Sequence, residues 1–182
     1  MKPSLVIFGL GNPGKEYRET RHNAGWWAVD LLTKEFGTSE WQPKQKFLCE
    51  LCEARIGVLP VLLVKPLTFM NRSGECIHKI VDFYNLDVTH NIIVLCDDID
   101  LEPGDVRYRE TGSAGTHNGL RSIVEQFGER FARIRIGVGK QQPGADLSTY
   151  VLSSPLAGEM EKIQEAIATI PALMRKQVLG ED

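Results

Sequence analysis

No stretch of this 182-residue chain is apolar for long enough to cross a bilayer. The chain also lacks a cysteine framework. Of its four cysteines, Cys49 and Cys52 form a C-x-x-C within KFLCELCEARI, which reads as extended. Three positions apart on a strand, two side chains point to opposite faces. No second pair and no nearby histidine completes a zinc or redox site. The nucleophile elbow G-x-S-x-G is missing, so a serine esterase of that kind is not expected. There is no overall basic excess: the net charge of −3 argues against a protein that simply coats nucleic acid. Internal repeats, low-complexity tracts and linkers are absent as well. The opening MKPSLVIFGLGNPG has one lysine and a short apolar run, Leu5 to Phe8, that ends in glycines. It reads as a first strand and not as a signal peptide, so a cytoplasmic location is expected.

What is present suits one compact domain. The 42% hydrophobic and 25% charged content is ordinary, and the length suffices for a real core. SLVIF (4–8) and NIIVLC (91–96) read as buried strands. Residues 47–56 and 58–64 read as a strand pair turning at Gly57, and 106–109 and 132–139 as two further strands. Helical spacing marks 24–36, 73–86 and a stretch around Leu120, Ile123, Val124 and Phe127. Ser154 and Pro155 are expected to open a final helix that Pro171 kinks. Alternating strands and helices predict an α/β fold, a single domain over 1–182 with a mixed, twisted central sheet and helices on both faces. The polar stretch 139–153 is the candidate lid loop.

Gly9 to Gly14 matches G-x-G-x-x-G after a strand. A dinucleotide site would need a helix starting inside that loop and an acidic residue at the end of a second strand. Pro13 interrupts the loop, apolar periodicity waits until Ala24, and Asp30 falls inside the first helix. No NAD or other cofactor is expected. Charge is unevenly spread: residues 76–106 are net −6 and 107–140 net +4. The basic segment reads either as ordinary surface or as a patch for phosphates.

Several polar residues fall at the ends of elements, where ligands of open α/β sheets bind. Asn12 and His22 follow the first strand, Asn71 precedes the second helix, Asp97 ends the NIIVLC strand, and His117 and Asn118 precede the third helix. A histidine, a carboxylate and several amides suit direct attack of water on a carbonyl, with histidine as base and carboxylate as its partner. The same residues also have a structural reading, which is the commoner role for such residues: a lone histidine before a helix is often a cap, and Asn71 and Asn118 are good helix caps in any protein. Asp97, Asp98 and Asp100 could bind Mg²⁺, but on a strand end the first two face opposite ways, and no metal site is expected. A nucleotide enzyme and a non-catalytic RNA-binding module stay open as alternatives at this point.

Four blocks carry a resemblance: FGLGNPGKEYRETRHNAGWWAVD, KPLTFMNRSG, VLCDDIDLEPGDVRYRETGSAGTHNGLRSI and FARIRIGVG. In this order they are similar to the bacterial peptidyl-tRNA hydrolases, from about residue 4 to residue 152. The resemblance implies a monomeric, metal-free α/β enzyme. It would cleave the ester between a peptide's C-terminus and the 3′ ribose of tRNA, recycling tRNA from stalled ribosomes. It implies His22 as catalytic base and Asp97 as its partner. Asn12 and Asn71 would contact the peptide end and position water, and Asn118 would grip the other side of the ester. Tyr17, Met70 and His117 would line the substrate cleft. Arg107 and Arg109 would hold the tRNA 5′ phosphate, with Arg135 as a further tRNA contact. The sequence departs from the family in two places. Thr116 stands where the family usually has glycine before its HNG. The chain ends in LMRKQVLGED without the basic tail common in the family, so affinity from such a tail is not expected.

Overall fold

The computed structural model describes residues 2–181, so Met1 and Asp182, the ends of the expected 1–182 domain, lie outside the described residues. One seven-stranded sheet runs through the molecule. Its strands are β1 (Leu5–Gly9), β2 (Gln42–Lys44), β3 (Cys49–Ile56), β4 (Leu59–Pro66), β5 (Ile92–Asp98), β6 (Val106–Arg109) and β7 (Ala132–Gly137). They lie in the order β2-β3-β4-β1-β5-β7-β6. The four central strands β4, β1, β5 and β7 are parallel, whereas β2, β3 and β6 join antiparallel at the edges. The sheet is therefore mixed, as expected. Its antiparallel hairpin turns at Gly57, whose φ of 59° is one that glycine adopts without strain.

Alternation along each strand builds two apolar layers. Leu5 and Ile7 of β1 point into a core with α1 (Ala24–Phe36), α6 (Ala157–Ile167) and α7 (Ile170–Leu179). Val6 and Phe8 point the other way, against α2 (Ser73–Tyr84) and α4 (Asn118–Phe127). Cys52 belongs to the first layer and Cys49 to the second, the opposed arrangement that their spacing predicts. The short helices α3 (Val88–Asn91) and α5 (Leu147–Val151) complete the set.

Some expectations are corrected. Pro171 does not kink one long helix. The chain leaves α6 after Ile167, and α7 restarts with Pro171 in its first turn, where the missing N–H has no partner to lose. The helix expected from Ser154 begins at Ala157. Neither asparagine proposed as a helix cap holds that position: Arg72 precedes α2, His117 caps α4, and Asn118 is the first residue of α4.

The glycines of the G-x-G-x-x-G run serve packing. A Cβ on Gly9 would lie 2.4 Å from the Gly25 carbonyl oxygen, and one on Gly25 would lie 2.4 Å from the Leu95 oxygen. The start of α1 thus sits directly on the carboxyl ends of β1 and β5. The residues just before α1 are thereby delivered to the end of β5.

A buried arginine fixes that turn from outside. The Arg21 guanidinium donates to the carbonyls of Tyr150, Ser153 and Ser154 and to Ser153 Oγ, pairs with Glu159 at 3.1 Å, and stacks 4.0 Å from the Tyr150 ring centroid. Arg21→Met leaves these acceptors unpaired in a buried site, an expected loss of about 2–4 kcal/mol. Thermal unfolding should show Tm lower by roughly 5–15 °C; a change within a degree or two would mean water replaces the guanidinium without cost.

Candidate active site

A cleft of about 690 Å³ opens at the carboxyl ends of the parallel strands. Asn12, Tyr17 and His22 enter it from the segment after β1, and Met70 and Asn71 from the turn before α2. Asp97 enters from β5, and Thr116, His117 and Asn118 from the approach to α4. Every non-arginine site residue expected from sequence therefore lines one cavity. Leu147, Val151 and Leu152 form a further wall, so part of the expected lid 139–153 is the ordered helix α5.

His22 lies on a turn of 3-10 helix, Arg21–Asn23, ahead of α1. Its Nδ1 is 2.9 Å from both Asp97 carboxylate oxygens, and His117 Nε2 is 2.8 Å from Oδ1. Asp97 is buried, as is His22. The two imidazole centroids are 4.7 Å apart with planes at 50°. Burial alone would raise the Asp97 pKa, but the interactions of His22 and His117 with the carboxylate outweigh it, and Asp97 is held well below the usual carboxylate range. For His22, burial disfavours the charged form. The Asp97 charge and hydrogen bond more than offset this, so its pKa lies above the ordinary 6.5. The tautomer that matches the carboxylate carries its proton on Nδ1, which leaves the Nε2 lone pair as an acceptor.

The neighbouring amides are positioned by backbone contacts. Asn12 Oδ1 accepts from the Met70 amide at 2.8 Å, which leaves the Nδ2 hydrogens as its donors toward the cleft. Asn23, whose role the sequence does not reveal, bonds the Asn12 backbone in both directions, at 2.9 Å and 3.1 Å. Asn71 and Asn118 are exposed at the rim. Tyr17 packs edge-on against Phe69, centroids 6.5 Å apart.

The DDID aspartates diverge. Asp97 faces the histidines, Asp98 pairs with Arg135, and Asp100 lies 3.5 Å from Lys140. His22, Asp97 and His117 offer possible metal-ligand atoms within 4.8 Å of one another. Those atoms are already joined by hydrogen bonds through the carboxylate, an arrangement for holding protons.

The arginines divide. Arg135 reaches the cleft. Arg107 and Arg109 are not among its walls; they are exposed on the edge strand β6, opposite Arg135 and Arg133 in the ladder and hence on the same face. Arg133 is buried, donating to the carbonyls of Ser113, Glu129 and Phe131. It anchors the segment leading to His117. Nothing in its sequence setting separates it from the surface arginines.

Comparison with known proteins gives a consistent result. A family model described as peptidyl-tRNA hydrolase matches residues 6–181. The peptidyl-tRNA hydrolase of Brevibacillus brevis is 44% identical over 164 residues, covering 90% of this chain and 85% of the relative. That of Alkaliphilus metalliredigens is 48% identical over 163 residues, covering 89% and 86%. The crystal structure of peptidyl-tRNA hydrolase from Acinetobacter baumannii superposes with a TM-score of 0.92 at 35% identity, covering 99% of this chain and 91% of that one.

Proposed function

This chain belongs to the peptidyl-tRNA hydrolase family, and on that basis we propose that it hydrolyses the ester between a peptide's C-terminus and the 3′ ribose of tRNA, recycling tRNA from stalled ribosomes. The observation that carries the reading is the buried Asp97 carboxylate against His22 Nδ1, which leaves Nε2 in the cleft as an acceptor. His22 Nε2 takes a proton from water as the water oxygen attacks the ester carbonyl carbon. Asp97 holds the ring and stabilises the imidazolium. The tetrahedral intermediate collapses by breaking the bond to the ribose oxygen, which receives the proton back from His22. A free peptide acid and tRNA result. Amides of Asn12, Asn71 and Asn118 hold the ester, its developing oxyanion and the water. Tyr17, Met70 and His117 shape the walls against the peptide and terminal nucleotide.

The arginines serve the tRNA body. Contacts to phosphate position a substrate without reading its sequence, which suits an enzyme that acts on every tRNA. Arg107 and Arg109 hold the 5′ phosphate, and Arg135 makes a further contact. Replacing both Arg107 and Arg109 with alanine should raise KM about tenfold or more with little change in kcat, and flatten the salt dependence of KM. Equal losses in kcat and kcat/KM would instead place these side chains in the transition state.

No helix among the described residues is long and apolar enough to cross a membrane. We take the enzyme to be a cytoplasmic monomer that needs no metal. The deciding experiment is release of labelled peptide from N-blocked aminoacyl-tRNA in EDTA, with unblocked aminoacyl-tRNA as control. Rapid cleavage of the blocked substrate alone is expected. No cleavage by a well-folded protein, or cleavage abolished by EDTA, would overturn the reading.

A further inference from the structure

Asp97 is shared, and the second histidine on it has an unusual setting. His117 Nδ1 accepts from the backbone N–H groups of Gly119 and Leu120, at 3.1 Å and 3.2 Å, and so caps α4. A nitrogen that accepts two amide protons carries none of its own. The tautomer is thereby fixed with hydrogen on Nε2, and that hydrogen is donated to Asp97 Oδ1. The Asp97 side chain is 2% exposed, so the two imidazoles and not bulk solvent supply its side-chain hydrogen bonds.

We propose that His117 is a positioning residue that restrains the basicity of His22 by sharing its carboxylate. The inference rests on the reading of His22 as the catalytic base. A donor on Oδ1 disperses the charge that would otherwise attract a proton to His22. The positive end of α4 lies behind the same ring and acts in the same sense. Without His117, Asp97 would pull harder, and His22 would become protonated at a pH where it is needed as a base.

No other nearby group offers the same control. Arg21, on the turn with His22, points away to Tyr150 and Glu159. Asp98 and Arg135, beside Asp97, neutralise each other. Tyr17, Asp100 and Arg121 line the cleft without a hydrogen bond or ion pair to His22 among the described contacts.

Two substitutions separate the capping and charge-sharing roles. His117→Asn preserves a good N-cap residue but shortens the reach to Asp97, whereas His117→Ala removes both interactions. In both variants the NMR titration of the His22 ring should move to higher pH. The acid limb of kcat/KM on blocked aminoacyl-tRNA should move with it. Both variants lose the hydrogen bond to the buried carboxylate and some stability with it. The alanine variant also loses the cap, and its Tm should lie about 2–4 °C lower still. An unmoved titration in the folded asparagine variant, with the shift confined to the alanine variant or absent from both, would overturn the inference by reducing His117 to a cap. The titration needs no substrate. If the wild type failed to cleave while the shift appeared, the proposed activity would fall and the charge sharing would stand.

Discussion

His22→Ala should lower kcat by about 10²–10⁴-fold, the contribution expected of a positioned general base. The fold should survive. His22 lies at the cleft, so its removal extends an existing cavity that water can enter, and Asp97 keeps the His117 hydrogen bond. The measurement is release of labelled peptide from blocked aminoacyl-tRNA, with circular dichroism to establish that the mutant is folded. A folded variant retaining more than about a tenth of wild-type kcat would remove His22 from the role of base. KM should change much less than kcat, because the imidazole acts on the water in the transition state.

Asp97→Asn is the second large expected effect. The carboxylate now receives hydrogen bonds from both histidines. An amide has one acceptor oxygen and an NH₂ that donates. It either meets an N–H with an N–H or turns its donor toward His22 Nδ1, stabilising the tautomer whose proton sits on Nε2. That tautomer has no lone pair for the water, so kcat should fall about 10²–10⁴-fold. The acid limb of the residual activity should also move to lower pH. The attraction that raises the His22 pKa is removed, while burial still opposes the charged form. Asp98→Asn is the control one residue away. Its carboxylate pairs with Arg135 on the other side of the strand, so a mild loss is expected. If Asp98→Asn proved the more damaging, catalysis would depend on the Asp98–Arg135 pair and the proposed roles would have to be exchanged.

Much of this architecture was legible because its signals are local. The helix at 24–36 and the strand at 106–109 appear with the expected bounds, since apolar spacing and flanking glycine mark them. The opposed Cys49 and Cys52 follow from strand alternation alone. Three short elements were not legible. β2 is only Gln42–Lys44, with a proline and no apolar alternation, and α3 and α5 are four and five residues long. Tertiary contacts fix such pieces more than propensity does. At the site, the convergence of His22, Asp97 and the asparagines followed from their place at element ends. The supporting residues did not. Arg21 and Arg133 are buried against carbonyl groups brought in from distant parts of the chain, and an arginine's sequence neighbours give no indication of that. The capping role of His117 was legible only as the general tendency of a histidine before a helix, beside the stronger preference of Asn118 for the same position.

The arginine-bearing edge strand has a consequence for the protein in solution. An open sheet presents unpaired backbone groups at both margins, and each margin is a template for pairing with another chain. Here one margin is β2, three residues long with Pro43 in its middle. The other is β6, four residues long with Arg107 and Arg109 exposed upon it. Brevity and proline blunt the first, while like charges repel any identical strand approaching the second. The side chains proposed to attract RNA thus also guard that edge of the sheet, and a variant stripped of both would leave β6 open to pairing with another strand.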